Sequence, residues 1–360
     1  MQLCENKTYK IFIVLFLILL LFLLKHWQED TRAIISPLFP FPSPESSVIQ
    51  NPPDSRKYVS SILAANSRLG NHLFELSSLY GISKKLNRTP TFFIQDSYHD
   101  QMIQDTDFLI PGLLDKFVVV NGTAPSTVTQ IEFGMKCCIF EEPDRLKNIT
   151  DQYLHLGGHH YHSWKYFPRL RSKLINFLKL PTTNFPDLPK SEPGNYISCI
   201  HIRRTDFNGT GFHMAGNDFI LNSIKYVERE EKGRIADLNV TTVFFGDDLE
   251  FMEALVNETR RWEDENLRTV SFISKNTPPD DILYARYHCD AVLITSPHST
   301  FGWWMGFLSK GNMVYYNDIK FTDDQSMVSG NFEPDDYFPP HWKPIRYGDV
   351  NNLTVVESLK

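Results

Sequence analysis

Hydrophobic and polar positions divide the chain into three stretches of different rhythm. From Ile11 to Leu24 every residue is Ile, Leu, Phe or Val, bounded by Lys10 and Lys25. At ~1.5 Å per residue such a helix covers roughly 21 Å, short for a bilayer core unless its flanks snorkel. No small-residue cleavage pattern follows in 25–30. The stretch therefore predicts a signal anchor, with a cytoplasmic tail over 1–10 and a membrane helix over 11–27 ending at Trp27. From 28 to 56 prolines stand at 37, 40, 42, 44, 52 and 53, a composition that stays extended and predicts a stem.

Beyond the stem, strand-like runs alternate with helical periods. Tyr58–Ala64 reads as a strand, followed by the turn NSRLG and a helical period through Leu73, Leu76, Leu79, Tyr80 and Ile82. Phe117–Val120 is a further apolar run. The segment FPRLRSKLINFLKL predicts an amphipathic helix with Leu170, Leu174, Phe177 and Leu178 on one face. Prolines at 181, 186, 189 and 193 then break the pattern, and the boundary between two halves is placed there, 57–190 and 191–347, with a tail over 348–360. In the second half strands are expected at Tyr196–Ile202, Thr241–Phe245, Thr269–Ile273, Ala291–Ile294 and Met313–Tyr316. Helices are expected near Asp218–Glu230, Leu249–Glu258, Asp281–His288 and Phe301–Leu308. Such alternation implies α/β architecture: a parallel sheet with helices on both faces, and ligands at the C-terminal ends of its strands.

Composition adds a compartment. The net charge is −7, and no nucleic-acid partner is expected. Acceptor sequons occur at Asn87, Asn121, Asn148, Asn208, Asn239, Asn257 and Asn352, a density that suits a lumenal body. Cys137, Cys138, Cys199 and Cys289 allow one or two disulfides whose pairing the sequence leaves open. His155, His159, His160 and His162 invite a zinc reading. With no cysteine close to them, a polar rim on the substrate cleft is the better expectation.

The chemistry gathers at strand ends. After the first strand of the second half comes HIRRTD, after the second GDD at 246–248, and after Ala291–Ile294 comes TSPHSTFGWW. Adjacent Arg203 and Arg204 need an anion to receive them. Ser299 and Thr300 fall where a helix begins and offers free N–H groups. Guanidinium, hydroxyl and backbone donors at one sheet edge suit an anionic nucleotide. The plainer reading makes the arginines a surface pair or a salt bridge to Asp206. Asp248 is then a helix cap, the Asp247-Asp248 pair lacks the spacing of a metal-binding D-x-D, and Trp303 and Trp304 are core.

These segments carry a resemblance. HIRRTDF resembles the H-x-R-R-x-D motif of α1,2-, α1,6- and protein O-fucosyltransferases. SRLGNHLFELSSLYGISKKLNRTP, GGHHYHSWKYF, HSTFGWWMGFLSKGNMVYYN and YFPPHW are similar, in the same order, to segments of the α1,2-fucosyltransferase family, so the likeness covers nearly all of 58–345. Thr205, Leu76-Ser77 and Met305-Gly306 depart from the family pattern at positions that bear on acceptor choice. The resemblance implies a GT-B-like fold of two Rossmann-type halves facing a cleft, acceptor side first and donor side second. It implies a Golgi type II membrane enzyme that transfers fucose from GDP-fucose, with inversion and without a required metal, in α1,2 linkage to a terminal galactose-type sugar of a glycan, with another linkage or a protein acceptor as the alternative. It implies catalytic roles for Arg203 and Asn71. Donor contacts fall to Arg68, Gly70, Asn71, His201, Arg203, Arg204, Asp206, Asp247, Ser299, Thr300 and Phe301, with His201 and Asp247 on the guanine. Among Glu75, Asp206, His213 and Asp218, no dedicated general base is expected. Two rivals remain: a sulfotransferase, whose phosphate loop NSRLGNHLFE does not fit, and a silent glycan-binding relative of the family.

Overall fold

A computed structural model describes residues 56–360 apart from 65–66, 96, 127, 236–237, 263–269, 350, 352 and 360. The anchor, nearly all of the stem and the Asn352 sequon lie outside the described residues. Among the described residues no helix is long and apolar enough to cross a membrane.

Two parallel sheets organise the chain. The first holds β1 (Tyr58–Ser61), β2 (Thr89–Ile94), β3 (Val118–Asn121), β4 (Thr129–Ile131) and β5 (Tyr153–Leu156), in the order β3-β2-β1-β5-β4. Its register sets Tyr58 between Thr89 and Tyr153. Its helices include α1 (Leu69–Leu86), α2 (Ser97–Leu109) and α3 (Arg171–Phe177).

The second sheet holds β6 (Asn195–Ile202), β7 (Asn239–Gly246), β8 (Val270–Ile273), β9 (Ala291–Ile294), β10 (Met313–Asn317), β11 (Lys343–Asp349) and β12 (Thr354–Glu357). Their order is β12-β11-β10-β9-β6-β7-β8, and only the edge strand β12 runs antiparallel. Counted from β6 as the first, the six parallel strands lie 3-2-1-4-5-6, the doubly wound order of dinucleotide-binding sheets. Helices α4 (Asn217–Arg234), α5 (Leu249–Thr259), α6 (Pro278–His288) and α7 (Thr300–Leu308) complete it.

Burial explains why the second half was so readable. On β6, Ile197 and Cys199 face one apolar cluster, while Tyr196, Ile200 and Ile202 face another. Strands covered on both faces read as unbroken apolar runs, and these do. Helices α4 and α5 supply the outer cluster through Phe219, Ile224, Met252 and Leu255. Helices α6 and α7 belong to the inner cluster, which continues into the first sheet. A disulfide between Cys199 and Cys289 ties β6 to the end of α6.

An aromatic knot holds the two sheets together. The Phe74 ring on α1 lies 4.4 Å from Trp303, 5.2 Å from Trp304 and 5.9 Å from Tyr337. Both indoles are fully buried, as expected for core residues, and Trp304 Nε1 donates to the Gly70 carbonyl at 3.0 Å. Truncating a buried aromatic costs about 3–5 kcal/mol, whereas an exposed ion pair contributes about 0–1 kcal/mol. Packing, not the surface charges, fixes the relation of the halves.

Some expectations are corrected. The first strand ends at Ser61, and the helix expected from FPRLRSKLINFLKL keeps only Arg171–Phe177. The tail expected over 348–360 instead contributes the end of β11 and all of β12. Asn87, Asn121, Asn148, Asn208, Asn239 and Asn257 are all exposed, as a bulky glycan requires.

Candidate active site

The second sheet changes winding direction once, between β6 and β9; in the first, the chain winds out from β1 to β3, crosses to β4 on the opposite edge and returns to β5 beside β1. The loops that leave β1, β5, β6, β7 and β9 meet in a cleft of about 780 Å³. From the first sheet come Arg68, Gly70, Asn71, His160 and His162; from the second come His201, Arg203, Asp206, Asp247, Ser299, Thr300 and Phe301. Crevices at such switch points are where open α/β sheets take ligands. Of the donor residues expected from sequence, only Arg204 does not line the cleft.

The two arginines part company. Arg203 donates from Nε and Nη2 to the Asp206 carboxylate, both at 2.6 Å, and its Nε lies 3.2 Å from Asp247 Oδ2. Arg68 Nη1 reaches the same Asp206 at 3.5 Å, so one carboxylate sits between two guanidinium groups in the cleft. Arg204 turns away: its guanidinium stacks 3.9 Å from the Phe251 ring centre and donates to the Ala215 carbonyl at 3.2 Å. An alternating strand end thus sends one arginine to the cleft and the other to the α5 side.

Asp247 braces this loop. Its Oδ1 accepts from the Arg204 backbone N–H at 2.9 Å and its Oδ2 from Thr205 Oγ1 at 2.6 Å. Burial alone would raise its pKa, but the Thr205 and Arg204 hydrogen bonds and the Arg203 charge outweigh it and hold the carboxyl ionised. Asp248 caps α5 by accepting from Phe251 N–H, as the sequence suggested. His201 is fully buried, and burial followed by the Arg203 charge lowers its pKa to about 3. Its neutral ring places one nitrogen 3.5 Å from Ser299 Oγ and leaves Nδ1 without a protein partner.

Two helix N-termini converge on the cleft. Ser299 caps α7, while Arg68 precedes α1 without a side-chain cap. Thr300 Oγ1 donates to Asn71 Oδ1 at 2.8 Å across the junction. Free N–H groups and two positive dipole ends therefore face the same space.

Glu75, one turn after Asn71, is turned into the protein. Its Oε1 accepts from the backbone N–H groups of Ala64 and His160, at 3.0 and 3.1 Å, and so ties the β1 loop to the β5 loop. That second loop runs through left-handed His160 (φ 72°) and Tyr161 (φ 49°) rather than along a strand. Burial pushes the Glu75 carboxyl up to about 7, against the two N–H donors. Because the folded pKa lies above the ordinary 4.5, the folded state holds the proton more tightly. Its contribution is complete below about pH 4.5 and lost as pH rises through 7. In the 57–360 fragment, Glu75→Gln should flatten the fall in thermal midpoint between pH 5 and 7. Parallel pH profiles for wild type and variant would refute this.

Of the four base candidates, only Asp206 lines the cleft, and two arginines already hold it. His213 Nδ1 is bonded to Asp323, and Asp218 is exposed in the first turn of α4. Sequence reading missed Phe207, Phe212 and His298 in the cleft wall, as well as Asn276, Pro278 and Asp281 at the start of α6. It also missed that Cys137 and Cys138 stand beside His162. Phe207 and Phe212 follow Arg203 in the same loop, whereas His298 and the cysteine pair reach the cleft only through contacts between segments far apart in the chain.

The fold and the cleft define an α/β protein with an open, polar cleft between two parallel sheets. The chain belongs to glycosyl transferase family 11, whose sequence profile matches residues 33–346, and it is a glycosyltransferase. It is 44% identical over 306 residues to svh-11 of Caenorhabditis elegans, provisionally named a galactoside 2-alpha-L-fucosyltransferase, covering 84% of this chain and 83% of that protein. It is 30% identical over 303 residues to a galactoside 2-alpha-L-fucosyltransferase of the same organism, covering 77% and 74%. Among solved structures, POFUT1 in complex with GDP-fucose matches with a TM-score of 0.43 at 10% identity, over 71% of this chain and 94% of that one. That likeness is too loose to bear on the site.

Proposed function

We propose that this chain transfers L-fucose from GDP-fucose, with inversion, to the 2-hydroxyl of a terminal galactose-type sugar on a glycoprotein or glycolipid. It does so from the Golgi membrane as a single-pass type II protein with its body in the lumen. The observation that carries the reading is Arg203, a guanidinium held in the cleft by carboxylates that a phosphate can replace. Family membership and relatives named as fucosyltransferases support the sugar.

Breaking the fucose–phosphate bond leaves additional negative charge on GDP. A fixed guanidinium and two helix N-termini aimed at the β-phosphate stabilise that charge as it develops. The diphosphate takes the place of Asp206 on Arg203. Asp247, bonded through both oxygens to the Arg loop, keeps that loop in position. The buried, neutral His201 underlies the cleft beside Ser299 and Phe301 and shapes the nucleotide pocket. With the leaving group carried by fixed cations and dipoles, a cation-like sugar asks little of a general base. No metal is required in this scheme.

The test is GDP release from GDP-fucose, together with α1,2-fucosylated product, by the 57–360 fragment on a panel of lactose-type acceptors. Activity should survive excess EDTA. Loss on chelation with recovery on manganese would hand the cationic role to a metal at Asp247 and Asp248. Donor turnover with no product on any galactose-ended acceptor would refute the acceptor assignment.

A further inference from the structure

One wall of the cleft carries sulfur and imidazole in a dense cluster. Cys137 and Cys138 form a disulfide between neighbours in sequence. Cys138 Sγ lies 3.7 Å from His162 Nδ1 and 4.0 Å from His298 Nε2. The two sulfurs and a His298 nitrogen all fall within 4.8 Å of one another. In a tetrahedral zinc site with Zn–S of ~2.3 Å and Zn–N of ~2.0 Å, ligand S and N atoms stand about 3.5 Å apart. The imidazoles already hold nearly that spacing from Cys138.

From this placement we infer that the reduced Cys137–Cys138 pair, with His162 and His298, binds one soft divalent cation of the zinc type. The disulfide and the metal exclude each other. Reduction by an external dithiol opens the S–S bond with two electrons and two protons, and the reductant leaves as its own disulfide. Metal binding then replaces the two thiol protons, which are released to solvent.

The surroundings fit a ligand set and not only a crosslink. His298 presents Nε2 to the sulfurs while its Nδ1 faces both oxygens of the fully buried Asp324 carboxylate at 3.3 Å. A carboxylate behind an imidazole fixes the tautomer that leaves the other nitrogen free for a metal. The His162 backbone N–H donates to the Cys137 carbonyl at 2.6 Å, which fastens the two ligand segments together. The ring of Phe212 at 4.1 Å from His298, and that of Phe332 at 5.2 Å, line the site with apolar surface. Cys137 borders the open cleft, so an ion has a way in. With the disulfide closed, neither sulfur can bind a metal, so the insensitivity to EDTA expected above is a separate test.

Cobalt(II) titration of the full chain in detergent, reduced with a phosphine, tests this. One cobalt per chain should bind, with thiolate-to-cobalt charge transfer and tetrahedral d–d absorption, and zinc should displace it. The untreated, oxidised chain should show neither band. Asp324→Asn should weaken the affinity about 10–100-fold while the thiolate band survives, and His298→Ala should weaken it further. No thiolate band in the reduced chain, or equal affinity in Cys138→Ser, would overturn the inference. Should the serine variant not fold, zinc protection of both thiols from alkylation in the reduced wild type decides. Unprotected thiols refute the site.

Discussion

Arg203→Ala in the 57–360 fragment should lower fucose transfer at least ~10²-fold while leaving the thermal midpoint nearly unchanged. Among the described residues, the guanidinium is the one cation seated in the cleft within bonding distance of two carboxylates, Asp206 and Asp247. Its partner Asp206 is about a third exposed, so the fold gains little from the pair. In the proposed reaction the charge on the leaving GDP grows at the transition state, and a fixed donor is worth most there. Arg203→Lys should rescue poorly, because an ammonium cannot reproduce the two-pronged geometry seen on Asp206. Arg204→Ala should show the opposite signature. It removes a stack on Phe251 and a bond to the Ala215 carbonyl outside the cleft, so stability falls more than turnover. Equal, mild activity losses for the two substitutions would mean that the anion binds elsewhere.

That contrast also shows what the sequence could and could not reveal. Two arginines after a buried strand were legible as a charged strand end, and alternation sends them to opposite sides. Which one enters the cleft depends on Asp247, which grips the chain between them from the end of the neighbouring strand. Strands β6, β7, β9 and β10 were legible because they are apolar runs buried on both faces. Helices α5 and α7 were legible through the caps Asp248 and Ser299. Strand β5 was not, since YLHL is short and its His155 is satisfied by Ser60 at 2.8 Å across the sheet. Strands β11 and β12 sit toward the sheet edge and carry Lys343, Arg346, Asp349 and Glu357, so their polarity disguised them. The sulfur–imidazole wall was hidden for a different reason: Cys138 and His298 stand 160 residues apart. No local period encodes such a meeting, which only the joining of the two sheets creates.

The same joining makes Gly70 sensitive although it carries no functional group. It lies in the first turn of α1 against the first turn of α7. A Cβ there would stand 2.6 Å from Thr300 Oγ1, 2.7 Å from the Phe301 nitrogen and 2.8 Å from the Thr300 carbonyl carbon. The hydroxyl could rotate away, but the backbone atoms cannot. The Gly70 carbonyl is held as well, by Trp304 Nε1. Gly70→Ala must therefore push the two helix N-termini apart, together with the Asn71–Thr300 bond that spans them. Overpacking of this kind costs about 1–3 kcal/mol, and a misplacement near 1 Å can cost about 10²-fold in rate. Both losses should appear in Gly70→Ala, in the thermal midpoint and in kcat for fucose transfer. Adding Thr300→Ala should recover only part of either, since the clash with Phe301 remains. Gly233→Ala serves as the control: no atom lies within 4 Å of its Cβ position near the end of α4. There the change should be neutral or stabilising by about 0.5–1 kcal/mol, as for any helical glycine. A Gly70→Ala enzyme with unchanged midpoint and full turnover would show that the two helix ends do not meet closely enough to form one anion site.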